Sequence, residues 1–151
     1  MAEINRITGE IVDAAFRLHN RIGPGLLESV YEALLCRSLE RKGFRVERQK
    51  PVSFEYDGMR FDEVCRLDLL VEGVVVVELK SVEKIAPVHH KQILTYLRLM
   101  DLPIGLLLNF GAPLMKDGVF RVANARASTA RAILDTAADG QKLYDSRRAA
   151  E

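Results

Sequence analysis

Residues 66–84, "RLDLLVEGVVVVELKSVEK", constrain the fold more than any other stretch of the chain. Two apolar segments of strand length flank Glu72-Gly73, a turn signal, so the stretch reads as a β-hairpin. A run such as "VVVVEL" suits a central strand covered on both faces. Such a strand favours apolar side chains, yet Asp68, Glu78 and Lys80 interrupt it. Removing a lone carboxylate from water is costly unless it gains a partner. These charges are therefore paired, placed at an open strand end, or bound to a metal.

Glu78 and Lys80 are two residues apart, which puts both on one face at about 6.5–7 Å along the strand. Whether Asp68 joins them depends on the loop. With a two-residue turn, Asp68 pairs with Val77 and points away from Glu78. With the loop Glu72-Gly73-Val74, Val71 faces Val75 and Asp68 stands opposite Glu78 on the same face. The second register, or a bulge with the same effect, is the expectation. Two adjacent carboxylates raise each other's pKa, so their coexistence points to a cation between them. A hard ion such as Mg²⁺ takes a few carboxylate oxygens, a main-chain carbonyl and waters. Lys80 would then steady an anion or orient water beside it, a combination suited to phosphate-ester hydrolysis. The plainer alternative is an exposed strand end with an ordinary Glu78–Lys80 ion pair.

Around this hairpin the apolar periodicity is helical over residues 3–20, ending at "IGPG", and again from Leu27 to Leu39, ending at Gly43. From Phe44 the period is two, and "YDGMR" supplies a further hairpin turn. "APVHHKQILTYLRLM" reads as a helix with Pro at its start, "LPIGLLLNFG" as a buried strand and "KDGVFRVAN" as a short edge strand. The order is two helices, three or four strands, a helix and two strands, which defines a mixed α/β fold. Residues 125–151, rich in Ala and Arg, read as a C-terminal helical extension.

At 151 residues, 48% hydrophobic and 28% charged, the chain suits one globular domain. No apolar run approaches the roughly 18 residues of a membrane span, and the N-terminus lacks the pattern of a secretory signal, so the cytoplasm is expected. Cys36 and Cys65 form no C-x-x-C pair, and His19, His89 and His90 are not spaced as a metal cluster. A net charge of +1 gives no strong field toward a polyanion. The basic residues Arg37, Arg41, Lys42, Arg45, Arg48 and Lys50 read as a solvated helix end or as a local patch. G-x-S-x-G and G-x-x-x-x-G-K-[ST] motifs are absent, and "GPGLLE" breaks the dinucleotide fingerprint.

Asp68 followed by "ELK" at 78–80 resembles the D-(x)n-E-x-K signature of the PD-(D/E)XK nuclease superfamily, whose restriction-endonuclease-like αβββαβ core matches the order above. Gly25, Glu28 and Tyr31 in "GLLESVY" resemble the bacterial GxxExxY family, and the similarity runs from about residue 4 to residue 123. The resemblance implies a domain over residues 1–124, with a mixed sheet flanked by helices. It makes Asp68, Glu78 and the Leu79 carbonyl metal ligands for Mg²⁺ or Mn²⁺, with Glu28 as an added acid and Lys80 as the residue that activates water or stabilises developing charge. Gln92 and Tyr96 resemble a Q-x-x-x-Y motif, placed on one helix face by their spacing. No Pro precedes Asp68; Leu67 stands there.

Several of these residues have structural readings too. Glu28 favours the positive end of a helix, Tyr31 suits the core with its hydroxyl satisfied, and Gln92 and Tyr96 suit a helix-to-sheet contact. His89, near a helix start, faces either a phosphate or solvent. The implied function is metal-dependent hydrolysis of phosphodiester bonds in DNA; the alternative is an inactive module of this fold that binds nucleic acid or a protein partner. A homodimer would enlarge the binding surface.

Overall fold

The computed structural model describes residues 1–128. Apolar residues at helical spacing fold Ala2–Ile22 into α1 and Glu28–Arg41 into α2. Three strands follow, β1 (Val46–Tyr56), β2 (Met59–Val71) and β3 (Val75–Lys80). Helix α3 (Pro87–Met100), with Pro at its first position where no amide partner is lost, precedes β4 (Ile104–Asn109). A short 3₁₀ turn, Met115–Asp117, leads to β5 (Val119–Ala123). The succession contains the expected αβββαβ core, with α1 before it and β5 after it.

The five strands lie in chain order in one mixed sheet, antiparallel except for the β3–β4 pair. A parallel pair needs a crossover, and α3 supplies it. The central β3 is buried along Val75–Leu79 and only half-buried at Lys80. Helices α1 and α2 cover one face through Ile11, Ala15, Tyr31 and Leu35, packed on Val77 and Leu108. Helix α3 covers the other through Ile93, Tyr96 and Leu97, packed on Val76 and Leu107.

The turn between β2 and β3 sets the register. Glu72 and Gly73 both have positive φ, 53° and 67°, and Val74 N–H donates to Val71 O at 3.1 Å. Val74 is left over as a bulge, so Val71 pairs with Val75. This is the register that carries Asp68 opposite Glu78.

The simple alternation expected along β1 does not hold. Val46 packs under α1 and α2 whereas Val52 packs under α3, although an even number of positions separates them. On β2, Leu69 and Leu67 likewise lie in opposite cores. The two strands turn over together at Gln49, whose φ is 50°, and at Asp68, the position between the Arg48–Leu69 and Lys50–Leu67 pairs. A left-handed residue inside an extended strand rotates the following side chains to the other face. Past Ser128, the helical extension expected at the C-terminus lies outside the described residues. No described helix is long and apolar enough to cross a membrane.

Candidate active site

The ladder between β2 and β3 pairs Leu69 with Val77, and at the next position side chains take over from the main chain. Glu78 Oε1 accepts from Asp68 N–H at 3.1 Å, and Asp68 Oδ2 accepts from Leu79 N–H at 2.9 Å. These bonds bring the two carboxyl groups within electrostatic reach of each other. Burial pushes the Glu78 carboxyl up to about 8, and the charge of Asp68 adds to the shift. Burial raises Asp68 as well; the Leu79 amide opposes that rise, while the charge of Glu32 adds to it. Glu78 thus keeps its proton beside Asp68 more readily than a free carboxyl does.

Lys80 extends from the half-buried end of β3. Its charge favours the ionised form of both acids, although it closes no ion pair within 4 Å among the described residues. The ordinary Glu78–Lys80 ion pair considered above is therefore not formed. Leu79 buries its side chain in the core under α1 and α2, leaving its main chain at the site.

Helix α2 supplies the opposite wall. Glu28 and Glu32 line, with Gln49, Asp68 and Ser81, an open cleft of about 530 Å³. Glu28, at the first position of α2, is exposed and accepts from Ser81 N–H at 3.3 Å. Glu32, one turn on, is buried and accepts from Arg48 Nη2 at 2.9 Å and from Gln49 Nε2 at 2.6 Å. Gln49 Nε2 also reaches Asp68 Oδ1 at 3.4 Å. Among the described residues, no group of three or more His, Cys, Asp or Glu side chains is close enough to hold a metal ion.

Tyr31 is fully buried, its ring stacked on Phe110 at 4.5 Å. Its hydroxyl donates to Gly23 O at 2.6 Å and accepts from Leu26 N–H at 3.2 Å. It therefore pins the loop between α1 and α2, and Ser81 Oγ bonds that loop at Leu26 O. His89 Nδ1 accepts from Ala86 N–H at 3.1 Å, which caps α3. Tyr96 is buried under α3, within electrostatic reach of Glu78, Cys65 and Asp68, with the exposed Gln92 one turn before it on the same helix. Burial chiefly pushes the Tyr96 hydroxyl up to about 12.

Asp68, Glu78, Lys80 and the Leu79 main chain thus meet at one strand end; Glu28 stands across the α2-side cleft that Asp68 lines, while Glu78, alternating with Leu79, shares the α3 side of the sheet with Tyr96. Tyr31 and His89 are occupied in holding loops and helix ends. Sequence reasoning overlooked Glu32 and Gln49, and read Arg48 only as part of a helix end or basic patch, not as the partner of Glu32. For Glu32 a signal existed, since it follows Glu28 by four residues on α2 and so shares its face. For Gln49 none did, because β1 and β2 change register between Val52 and Phe54, and counting from the Asp57-Gly58 turn sets Gln49 against Arg66 rather than Asp68.

A family model for the PD-(D/E)XK nuclease superfamily matches residues 5–122. No curated protein and no solved structure matches the chain.

Proposed function

The chain belongs to the PD-(D/E)XK nuclease superfamily, and from that membership we propose that it is a metal-dependent nuclease hydrolysing phosphodiester bonds of DNA. The observation that carries the reading is the Asp68–Glu78 contact, with Glu78 held up at about 8 beside the Lys80 ammonium. Nucleases of this superfamily typically use divalent metals, and this donor set is made of hard oxygens. Asp68, Glu78 and the Leu79 carbonyl would hold Mg²⁺ or Mn²⁺, with waters completing the shell and Glu28 joining across the cleft. Bound there, the ion would supply Lewis acidity at a phosphate oxygen and a more acidic water. Lys80 would stabilise the negative charge that develops on the phosphate or orient the attacking water. Tyr96 and Gln92 would support Glu78 from the α3 side, while Tyr31 and His89 would keep the surrounding backbone in place.

Cleavage of single-stranded, duplex and branched DNA with Mg²⁺ or Mn²⁺ tests the reading. Equal activity in wild type and Lys80→Ala would remove the mechanism. The GxxExxY branch, a cytoplasmic location and a homodimer belong to the same proposal. Exposed Tyr56, Met59, Phe61 and Val64 on the outer β1–β2 hairpin offer apolar surface that a dimer would cover, which sedimentation would detect.

A second reading, an inactive module that binds nucleic acid or a protein, is favoured by one observation. Asp68 and Glu78 each already accept a main-chain N–H, and Arg48 neutralises Glu32. Calorimetry with Mn²⁺ separates the two, since a vestigial site gives no heat that depends on Asp68.

A further inference from the structure

We propose that Gln49 is a positioning residue for the carboxylate of Asp68, a role that rests on the nuclease reading of the site. Gln49 has φ 50°, a left-handed conformation that a non-glycine residue in a strand adopts only when its surroundings impose it. Regular pairing resumes on both sides, at Arg48–Leu69 and Lys50–Leu67. This irregularity, distinct from the register shift between Val52 and Phe54, is thus centred on the position facing Asp68.

Its consequence is the placement of one amide. Gln49 Nε2 donates to Glu32 Oε1 at 2.6 Å and reaches Asp68 Oδ1 at 3.4 Å. The other oxygen of Asp68 is fixed by Leu79 N–H at 2.9 Å. The carboxylate is therefore oriented from two sides, while the longer contact leaves Oδ1 free to turn toward a cation. Glu32, buried and bonded to Arg48, anchors the amide from behind. A neutral donor suits this place, because a lysine there would neutralise Asp68 and compete with the metal. Partners that orient ligating groups in this way typically change metal affinity by about 10–100-fold.

The test is calorimetric titration of Mn²⁺ into the full chain, with thermal melts, for wild type, Asp68→Asn, Gln49→Gly and Gln49→Met. Glycine relieves the left-handed backbone while losing the bond to Glu32, so Gln49→Gly melts within a few degrees of wild type. Methionine keeps the length and removes the donor. Both Gln49 variants should bind Mn²⁺ about tenfold or more weakly. Unchanged affinity in both overturns the proposal, and a lowered melting temperature with unchanged affinity does so too, because it assigns Gln49 to stability alone. Should wild-type binding not depend on Asp68, the Asp68→Asn arm reveals failure of the nuclease reading itself, and the Gln49 role falls with it.

Discussion

Asp68 and Glu78 meet where the β2–β3 ladder stops: the amide of Asp68 donates to the Glu78 carboxylate, and the Asp68 carboxylate accepts from the next amide of β3, that of Leu79. Each acid thus replaces a main-chain bond at the point where two strands part. The exchange explains how two carboxyl groups persist in a nearly buried position, since amide donors offset part of the cost of removing them from water. It also brings them close enough to disfavour double ionisation.

Burial, with the charge of Asp68 added for Glu78 and that of Glu32 for Asp68, gives the pair a measurable sign. The folded-state pKa of Glu78, about 8, lies above its ordinary 4.5, and Asp68 is shifted in the same direction. Between those values the folded chain binds more protons than the unfolded one. The contribution to stability is therefore fully present below about pH 4.5 and is lost as pH rises through about 8. In thermal melts with chelator, the melting temperature of wild type should fall between about pH 5 and 8 relative to Glu78→Gln, which still accepts from the Asp68 amide. Parallel curves for the two proteins would contradict the shift. Added Mn²⁺ should raise the wild-type melting temperature most at the alkaline end, because binding requires the ionised acids.

Lys80 separates chemistry from binding. Its charge acts on both carboxyl groups, and it is not among the metal donors proposed here. Lys80→Ala should keep Mn²⁺ affinity within a few-fold of wild type while lowering the cleavage rate by about 10²–10³, the usual effect of removing one group that stabilises developing charge. Calorimetry and cleavage assays on the same preparation check both halves. Loss of metal binding alongside activity would make Lys80 part of the scaffold instead.

The β2–β3 hairpin and its charged interruptions were legible because few loops fit "VEGV", and because the period of two ties register to face. The two helical layers followed from apolar spacing, as did the crossover over a parallel pair. What stayed hidden depends on irregular backbone. The β1–β2 register shift and the left-handed turn at Gln49 leave no pattern in side-chain polarity, yet they decide that Gln49, and not Lys50 or Arg48, reaches Asp68. Tyr31 was legible in part. Its ring lies in the core with the hydroxyl satisfied, as its apolar surroundings on α2 suggested, but which loop the hydroxyl holds had no sequence signal.

Tyr31→Phe isolates that role. The ring keeps its stack on Phe110, while Gly23 O loses a donor and Leu26 N–H loses an acceptor. The expected loss is about 1–3 kcal/mol in urea denaturation, the cost of leaving part-buried polar groups unpaired. Mn²⁺ affinity should be little changed, because Leu26 lines the cleft with a side chain that offers no metal donor and bonds Ser81 rather than either acid. A loss of metal binding larger than the loss of stability would place the hydroxyl in the site itself.

Gly111→Ala tests the backbone behind Lys80. The chain after β3 runs against β4's end, where Asn109 Oδ1 accepts from Val82 N–H and Asn109 Nδ2 donates to Val82 O. Phe110 N–H donates to Lys80 O at 2.8 Å, which fixes the last residue of β3. Gly111 lies so close that a Cβ there would stand 2.3 Å from Val82 O and 2.6 Å from Val82 N. Both contacts are with main chain, which cannot swing aside as a side-chain tip would. Alanine must therefore push the 81–82 segment away, straining the Asn109 clamp and the Ser81 contacts with Glu28 and Leu26. The expected destabilisation is about 1–3 kcal/mol, the usual cost of overpacking a well-filled site. Because the displaced segment adjoins Lys80, cleavage should fall further than the loss of folded protein explains, with Mn²⁺ affinity reduced less. A urea midpoint equal to that of wild type would show that the segment yields freely and that the end of β3 is not held in this way.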